Sequence, residues 1–110
     1  MNNVSIIGRL GQNPELRTTT GGKAVASFSV AVENRLRDNE EPDWVNIEVW
    51  GKIAEVVAEH KTKGDQVAIT GRLTSSAWTD DDNNKRSRLY VTAETVDFLH
   101  SPKANAKEAA

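Results

Sequence analysis

Between Trp44 and Trp50 the chain alternates without a break: Val45, Ile47 and Val49 share one parity, and Trp44, Asn46, Glu48 and Trp50 share the other. A period of two sustained over this run predicts a half-buried β-strand with its aliphatic side toward the core. The opposite side then displays two indole rings beside an amide and a carboxylate, company that large apolar rings do not keep in a packed interior. Exposed aromatic surface of this kind marks a place where something binds.

The same patterning organises the rest of the chain. Val4 to Leu10 is an apolar strand closed by Gly11, Gln12 to Pro14 is a turn, and Thr18 to Gly22 reads as a hairpin connection. Ala24 to Arg35 alternates over a length that requires bending or wrapping round a barrel, with Ala24, Ala26, Phe28, Val30 and Val32 on one face. Arg37 to Asp43 is a charged, proline-containing loop. After Trp50 the period changes. Ile53, Val56, Val57 and His60 fall at helical spacing, which predicts a short amphipathic helix over Lys52 to Lys61, closed by Lys61, Lys63 and Gly64. Strand pattern returns from Gln66, and continuing its parity without a bulge puts Trp78 on the outer face with Arg72. Thr79 to Asn84 is a turn, Lys85, Arg86 and Arg88 form a basic cluster, and a last strand runs from about Leu89 to Leu99.

The predicted order is β-β-β-α-β-β: an all-β chain of five strands with one short helix between the third and the fourth. That is the layout of the OB-fold, a Greek-key barrel whose curved face takes single-stranded nucleic acid or oligosaccharide. Residues 1–100 form the domain, and 101–110 are a short polar tail following the last strand.

Bulk properties narrow the chemistry. With no cysteine, disulfides, thiolate metal sites and cysteine nucleophiles are excluded. The apolar stretch Val4 to Ile7 is too short for a signal-peptide core, and no run approaches the roughly 20 apolar residues of a membrane span, so no membrane association and an intracellular location are expected. The net charge of −2 argues against a polyanionic partner only until its distribution is considered. Seven of the sixteen acids sit in two clusters, Asp38, Glu40, Glu41, Asp43 and Asp80 to Asp82, and the nine others face fourteen bases, leaving a framework near +5.

Of Arg9, Lys23, Arg35, Arg37, Lys52, Arg72, Arg86 and Arg88, most lie on or beside the tryptophan-bearing segments. Any one of them reads as a solvated surface charge. As a set, interleaved with aromatic rings, they fit a groove that follows a phosphate backbone while bases stack on the rings. The competing reading of Trp44 and Trp50 is a subunit interface, and that of Trp78 a local hydrophobic plug. His60 and His100 are too far apart, and too few, for a zinc set, and the consecutive aspartates lack the glycine of a calcium loop. Neither a nucleophile elbow nor a phosphate-binding loop is present, so no metal, no cofactor and no catalysis are expected.

Several segments then occur together in order: Val4 to Gly11, Asn13 to Glu15, Ala24 to Phe28, Trp44 to Trp50, Gly51 to Glu55, Lys63-Gly64, Gly71 to Leu73, Trp78 to Asp80 and Val96 to Leu99. Together they resemble the bacterial single-stranded DNA-binding protein family, from about Met1 to Leu99. The resemblance implies an OB-fold, sequence-tolerant binding of single-stranded DNA in replication, recombination and repair, no enzymatic activity, and a homotetramer, with a dimer as the smaller alternative. It also implies that Trp44, Trp50 and Trp78 stack on bases and that Lys52, Lys63 and Arg86 lie near the DNA path. Leu36 stands where some members carry another tryptophan, and Thr74, Ser76 and Ala77 where members often carry bases.

Members usually end in a disordered linker and an acidic tip with a terminal hydrophobic residue. Here the residues after Ser101 include Lys103, Lys107 and Glu108 and finish in alanines, so recruitment of repair enzymes through such a tip is not expected. A cytoplasmic, nucleoid-associated location follows from the resemblance, with phage, plasmid or organelle origin left open. Two rivals remain. One is an OB-fold interaction subunit, similar to primosomal accessory proteins, with incidental nucleic-acid affinity; the other, a small OB-fold nuclease, would need convergent carboxylates where the outer face offers only Glu48.

Overall fold

A computed structural model describes residues 1–34, 36 and 41–99. Arg35, Arg37, His100 and the 101–110 tail lie outside the described residues. The elements are β1 (Val4–Leu10), β2 (Glu15–Thr18), β3 (Ala24–Val32), β4 (Asp43–Trp50), α1 (Lys52–His60), β5 (Gln66–Thr79) and β6 (Lys85–Phe98). They make one sheet in the order β1-β5-β6-β4-β3-β2, and a further β1–β3 pairing, Arg9 with Ala31 and Leu10 with Val30, curls it into a barrel. This is the all-β, OB-type architecture expected, with six strands rather than five. The added strand is β2. All four of its residues are exposed, so it carries no alternation to read, and its pairing with β3 alone defines it.

The core is the inward parity of each strand. Ala26, Phe28 and Val30 of β3, Ile47 and Val49 of β4, Val67 and Ile69 of β5 and Val91 of β6 are buried together with Leu10. Gly71 is needed where β6 crosses β5, because a Cβ there would overlap the Thr92 carbonyl. At the same place the β5–β6 register slips: Thr70 faces Thr95 and Gly71 faces Ala93, leaving Glu94 as the extra residue of a bulge. The slip falls on β6, so the parity of β5 is kept from Arg72 to Trp78.

Two expectations need correction. The helix stands where expected, between the Trp44–Trp50 strand and the strand from Gln66, but it turns a different side inward from the one its large residues suggest. Ala54 and Val57 are buried while Ile53 is 38% exposed and His60 is exposed. Small side chains let the helix lie close to the barrel, and the stem of buried Lys61 continues that stripe to place its ammonium 4.5 Å from the Phe98 ring centroid. The last strand also begins at Lys85 rather than Leu89. The tight turn after Thr79 pairs Thr79 with Lys85, and the ladder then incorporates the whole basic cluster.

Candidate nucleic-acid interface

Directly opposed residues in neighbouring strands share a face, so the registers can be followed outward from Trp50. One row reads Arg17, Val25, Trp50 across β2, β3 and β4. The next reads Glu15, Ser27, Glu48, Thr92, Arg72 across all five strands from β2 to β5. The tip-ward part of the β5–β6 hairpin adds Thr74 with Tyr90, Ser76 with Arg88 and Trp78 with Arg86. Val25 is fully buried although it belongs to this outer parity and stands outside the core cluster. In its row it stands between Arg17 and Trp50.

The three tryptophans remain open to solvent at 61% (Trp44), 42% (Trp50) and 47% (Trp78). Trp44 and Trp50 mark the two ends of β4, and Trp78 lies on the projecting hairpin. The Trp44 ring lies against Gly11, where any Cβ would collide with it. The predicted bases fall into matching groups. Arg9, which donates to the Gly64 carbonyl at 3.1 Å, and Lys63, whose backbone N–H donates to Asn13 Oδ1 at 2.8 Å, gather near the Trp44 end. Lys23 and Lys52 gather at the Trp50 end, because Gly51 N–H donates to the carbonyl of Ala24. Arg72 lines an open groove with Trp50, Thr74, Tyr90 and Thr92.

Arg86 and Arg88 are held by carboxylates. Arg86 Nε donates to Asp80 Oδ2 at 2.9 Å, while Asp80 Oδ1 accepts from the backbone N–H groups of Asp82 and Asn84. Asp80 is therefore a brace of the hairpin turn rather than a simple solvated tip. The Arg86 guanidinium first, then the Asn84 N–H, hold its carboxyl below the ordinary aspartate value, with Asp82 adding a smaller effect and burial opposing it. Arg88 Nη2 donates to Glu48 Oε2 at 2.7 Å, and Arg17 Nη2 approaches the same oxygen at 3.9 Å. Glu48 is only 7% exposed, so a carboxylate in the outward parity has become a buried, paired one.

Two residues of this face, Tyr90 and Arg17, carry no earlier assignment, and Glu48 takes a role its parity did not suggest. Tyr90 had a readable signal, since it alternates with buried Val91 and Ala93 and so falls with Arg88 and Thr92 on the outside. Arg17 had none, because β2 is exposed throughout. The burial of Glu48 depends on an arginine forty residues away. Among the described residues, no group of three or more His, Cys, Asp or Glu side chains is placed to hold a metal ion, and no helix is long and apolar enough to cross a membrane.

The sequence model of the single-strand binding protein family matches residues 1–99. The chain belongs to that family. Similar curated relatives include "Single-stranded DNA-binding protein 1" of Synechocystis, 33% identical over 97% of this chain and 90% of the relative. "Single-stranded DNA-binding protein 3" of Clostridium acetobutylicum is 40% identical over 96% and 75%. "Single-stranded DNA-binding protein 2" of Listeria monocytogenes is 41% identical over 100% and 70%. Membership makes this a non-enzymatic DNA-binding protein whose ligand is single-stranded DNA, with the roles in replication, recombination and repair that are general to the family. It removes the nuclease reading, and it gives the exposed tryptophans a chemical reason, since every base has a π-face to match them.

Proposed function

We propose that single-stranded DNA crosses the outer face of the barrel, with bases stacked on Trp44, Trp50 and Trp78. Its phosphates are met by Arg9, Lys23, Lys52, Lys63, Arg72 and Arg86, and by Arg35 and Arg37 beyond β3. Arg88 belongs to the same face. The observation that carries this reading is the exposure of all three indoles on a side whose other positions are mostly polar or charged. A single domain over residues 1–100, acting in the cytoplasm at the nucleoid, completes the reading.

The working assembly is a homotetramer. Among the described residues, Val4 to Ile7 pair through the backbone with β5 alone, and Ile7, 55% exposed, lies along that stretch. Several linked copies would also multiply weak contacts to one strand. Light scattering that returns the monomer mass of 12.1 kDa at micromolar concentration would overturn the assembly.

Salt dependence tests the interface. Phosphate contacts release counterions, so affinity for labelled oligo(dT), measured by anisotropy, should fall steeply with salt. Lys52→Ala and Arg72→Ala should each lower the magnitude of the log–log slope by about 0.7, the value per contact for single strands, without changing base preference. Unchanged slopes in both variants would place the phosphate path elsewhere. Salt-insensitive binding by the wild-type protein would favour the interaction-subunit reading.

A further inference from the structure

The chain's one tyrosine lines the same groove as Trp50 on the outer face. The Arg88 guanidinium lies 4.6 Å from the centroid of the Tyr90 ring. The same guanidinium donates its 2.7 Å hydrogen bond to Glu48, whose side chain is only 9% exposed, and Arg17 completes the cluster from β2. The guanidinium of Arg88, 46% exposed, is thus already paired with a buried carboxylate, which makes it a poorer phosphate ligand than an unpaired cation. Its cation–π contact restrains the ring from one side and leaves the other side for a partner.

We propose that Tyr90 is a further base-stacking platform in the groove it shares with Trp50, with Arg88 and Glu48 as its positioning residues, so that Arg88 serves DNA through the ring rather than through a phosphate. The proposal rests on the assignment of DNA to the Trp50 face. A ring already fixed by a guanidinium, itself fixed by a buried carboxylate, loses little freedom when a base arrives. Glu48 has a second consequence. By engaging Arg88, with Arg17 close by, it keeps cationic charge from the middle of the face and leaves phosphate attraction to Arg72 and the lysines at the rim.

The test is equilibrium binding of labelled oligo(dT) over a range of salt, with thermal melts of each variant. Tyr90→Leu should weaken binding roughly 5- to 150-fold, the range for one lost stacked base, with no change in salt slope. Tyr90→Phe should restore most of the loss, since only the ring is needed. Glu48→Gln, which releases Arg88 without touching the ring, should raise the slope magnitude by about 0.7 for one newly available cation. Arg88→Gln should reduce affinity and leave the slope unchanged.

Full affinity in Tyr90→Leu alongside a loss in Trp50→Ala would overturn the tyrosine assignment while keeping DNA on this face. A slope reduced by about 0.7 in Arg88→Gln would make Arg88 a direct phosphate contact and overturn its positioning role. Full affinity in both Tyr90→Leu and Trp50→Ala would remove the whole face from the DNA path, a failure of the underlying assignment.

Discussion

Replacing Trp44 and Trp50 together with alanine is expected to weaken single-stranded DNA binding by roughly 2–6 kcal/mol, the sum of about 1–3 kcal/mol for each stacked base. Simple addition is justified by distance. Six residues of extended strand separate the two rings by about 20 Å, beyond the range in which substitutions usually couple. In affinity the loss is on the order of 30-fold at least and can exceed 10⁴-fold. The fold should survive, because both side chains project from the outer face, and Ile47 and Val49 on the opposite parity carry the packing. Buried Val25 stands opposite Trp50, so a modest fall in melting temperature is expected alongside the large fall in affinity. Anisotropy with labelled oligo(dT) checks the prediction, and single variants each retaining full affinity would refute it.

The second large effect lies on the opposite side of the same strand. Ile47→Ala is expected to cost about 2–5 kcal/mol of folding stability, the range for truncating a fully buried isoleucine. Ile47 is 1% exposed and stands between Phe28 of β3 and Val91 of β6, where the parallel β4–β6 pairing joins the two halves of the barrel. Against a typical domain stability of about 5–15 kcal/mol this is a large fraction. Chemical denaturation at fixed protein concentration should show a lower midpoint with an unchanged slope. DNA affinity of the fraction that remains folded should be close to that of the wild type. A loss below about 0.5 kcal/mol would mean that the aliphatic parity of β4 is not the core.

These two substitutions probe one strand whose reading was available from the sequence. The alternation from Trp44 to Trp50 is long and its two faces differ sharply, so parity alone separates core from surface. Helix α1 shows where periodicity falls short. Positions 53, 56, 57 and 60 and positions 54, 57, 58 and 61 both satisfy helical spacing and share only Val57. Bulk favours the first set, but the barrel accepts the second, because alanines allow close approach and a lysine stem can lie along apolar surface. β2 left no pattern at all, since all four of its residues are exposed and its backbone pairs with β3.

The candidate site was legible to the same degree. Indoles and bases announce themselves by type and parity, whereas their engagement depends on partners brought near by the fold. Arg86 meets Asp80 within its own hairpin, a local pairing that a turn of consecutive aspartates makes understandable. Arg88 meets Glu48 across the β4–β6 pairing, and only the register of parallel strands brings them together. Charge counting therefore overstates the cations free for phosphate on this face: Arg88 is engaged by Glu48, and Arg86 meets a phosphate only while sharing its guanidinium with Asp80.

The central claim is that DNA bases stack on the exposed indoles, and intrinsic fluorescence reports it directly. Titration with oligo(dT) several tens of nucleotides long, at two salt concentrations, is expected to quench tryptophan emission strongly, with the midpoint moving to higher DNA concentration as salt rises. Duplex DNA should compete poorly. An emission spectrum that stays unchanged at saturation, with binding confirmed independently by anisotropy, would contradict the stacking account.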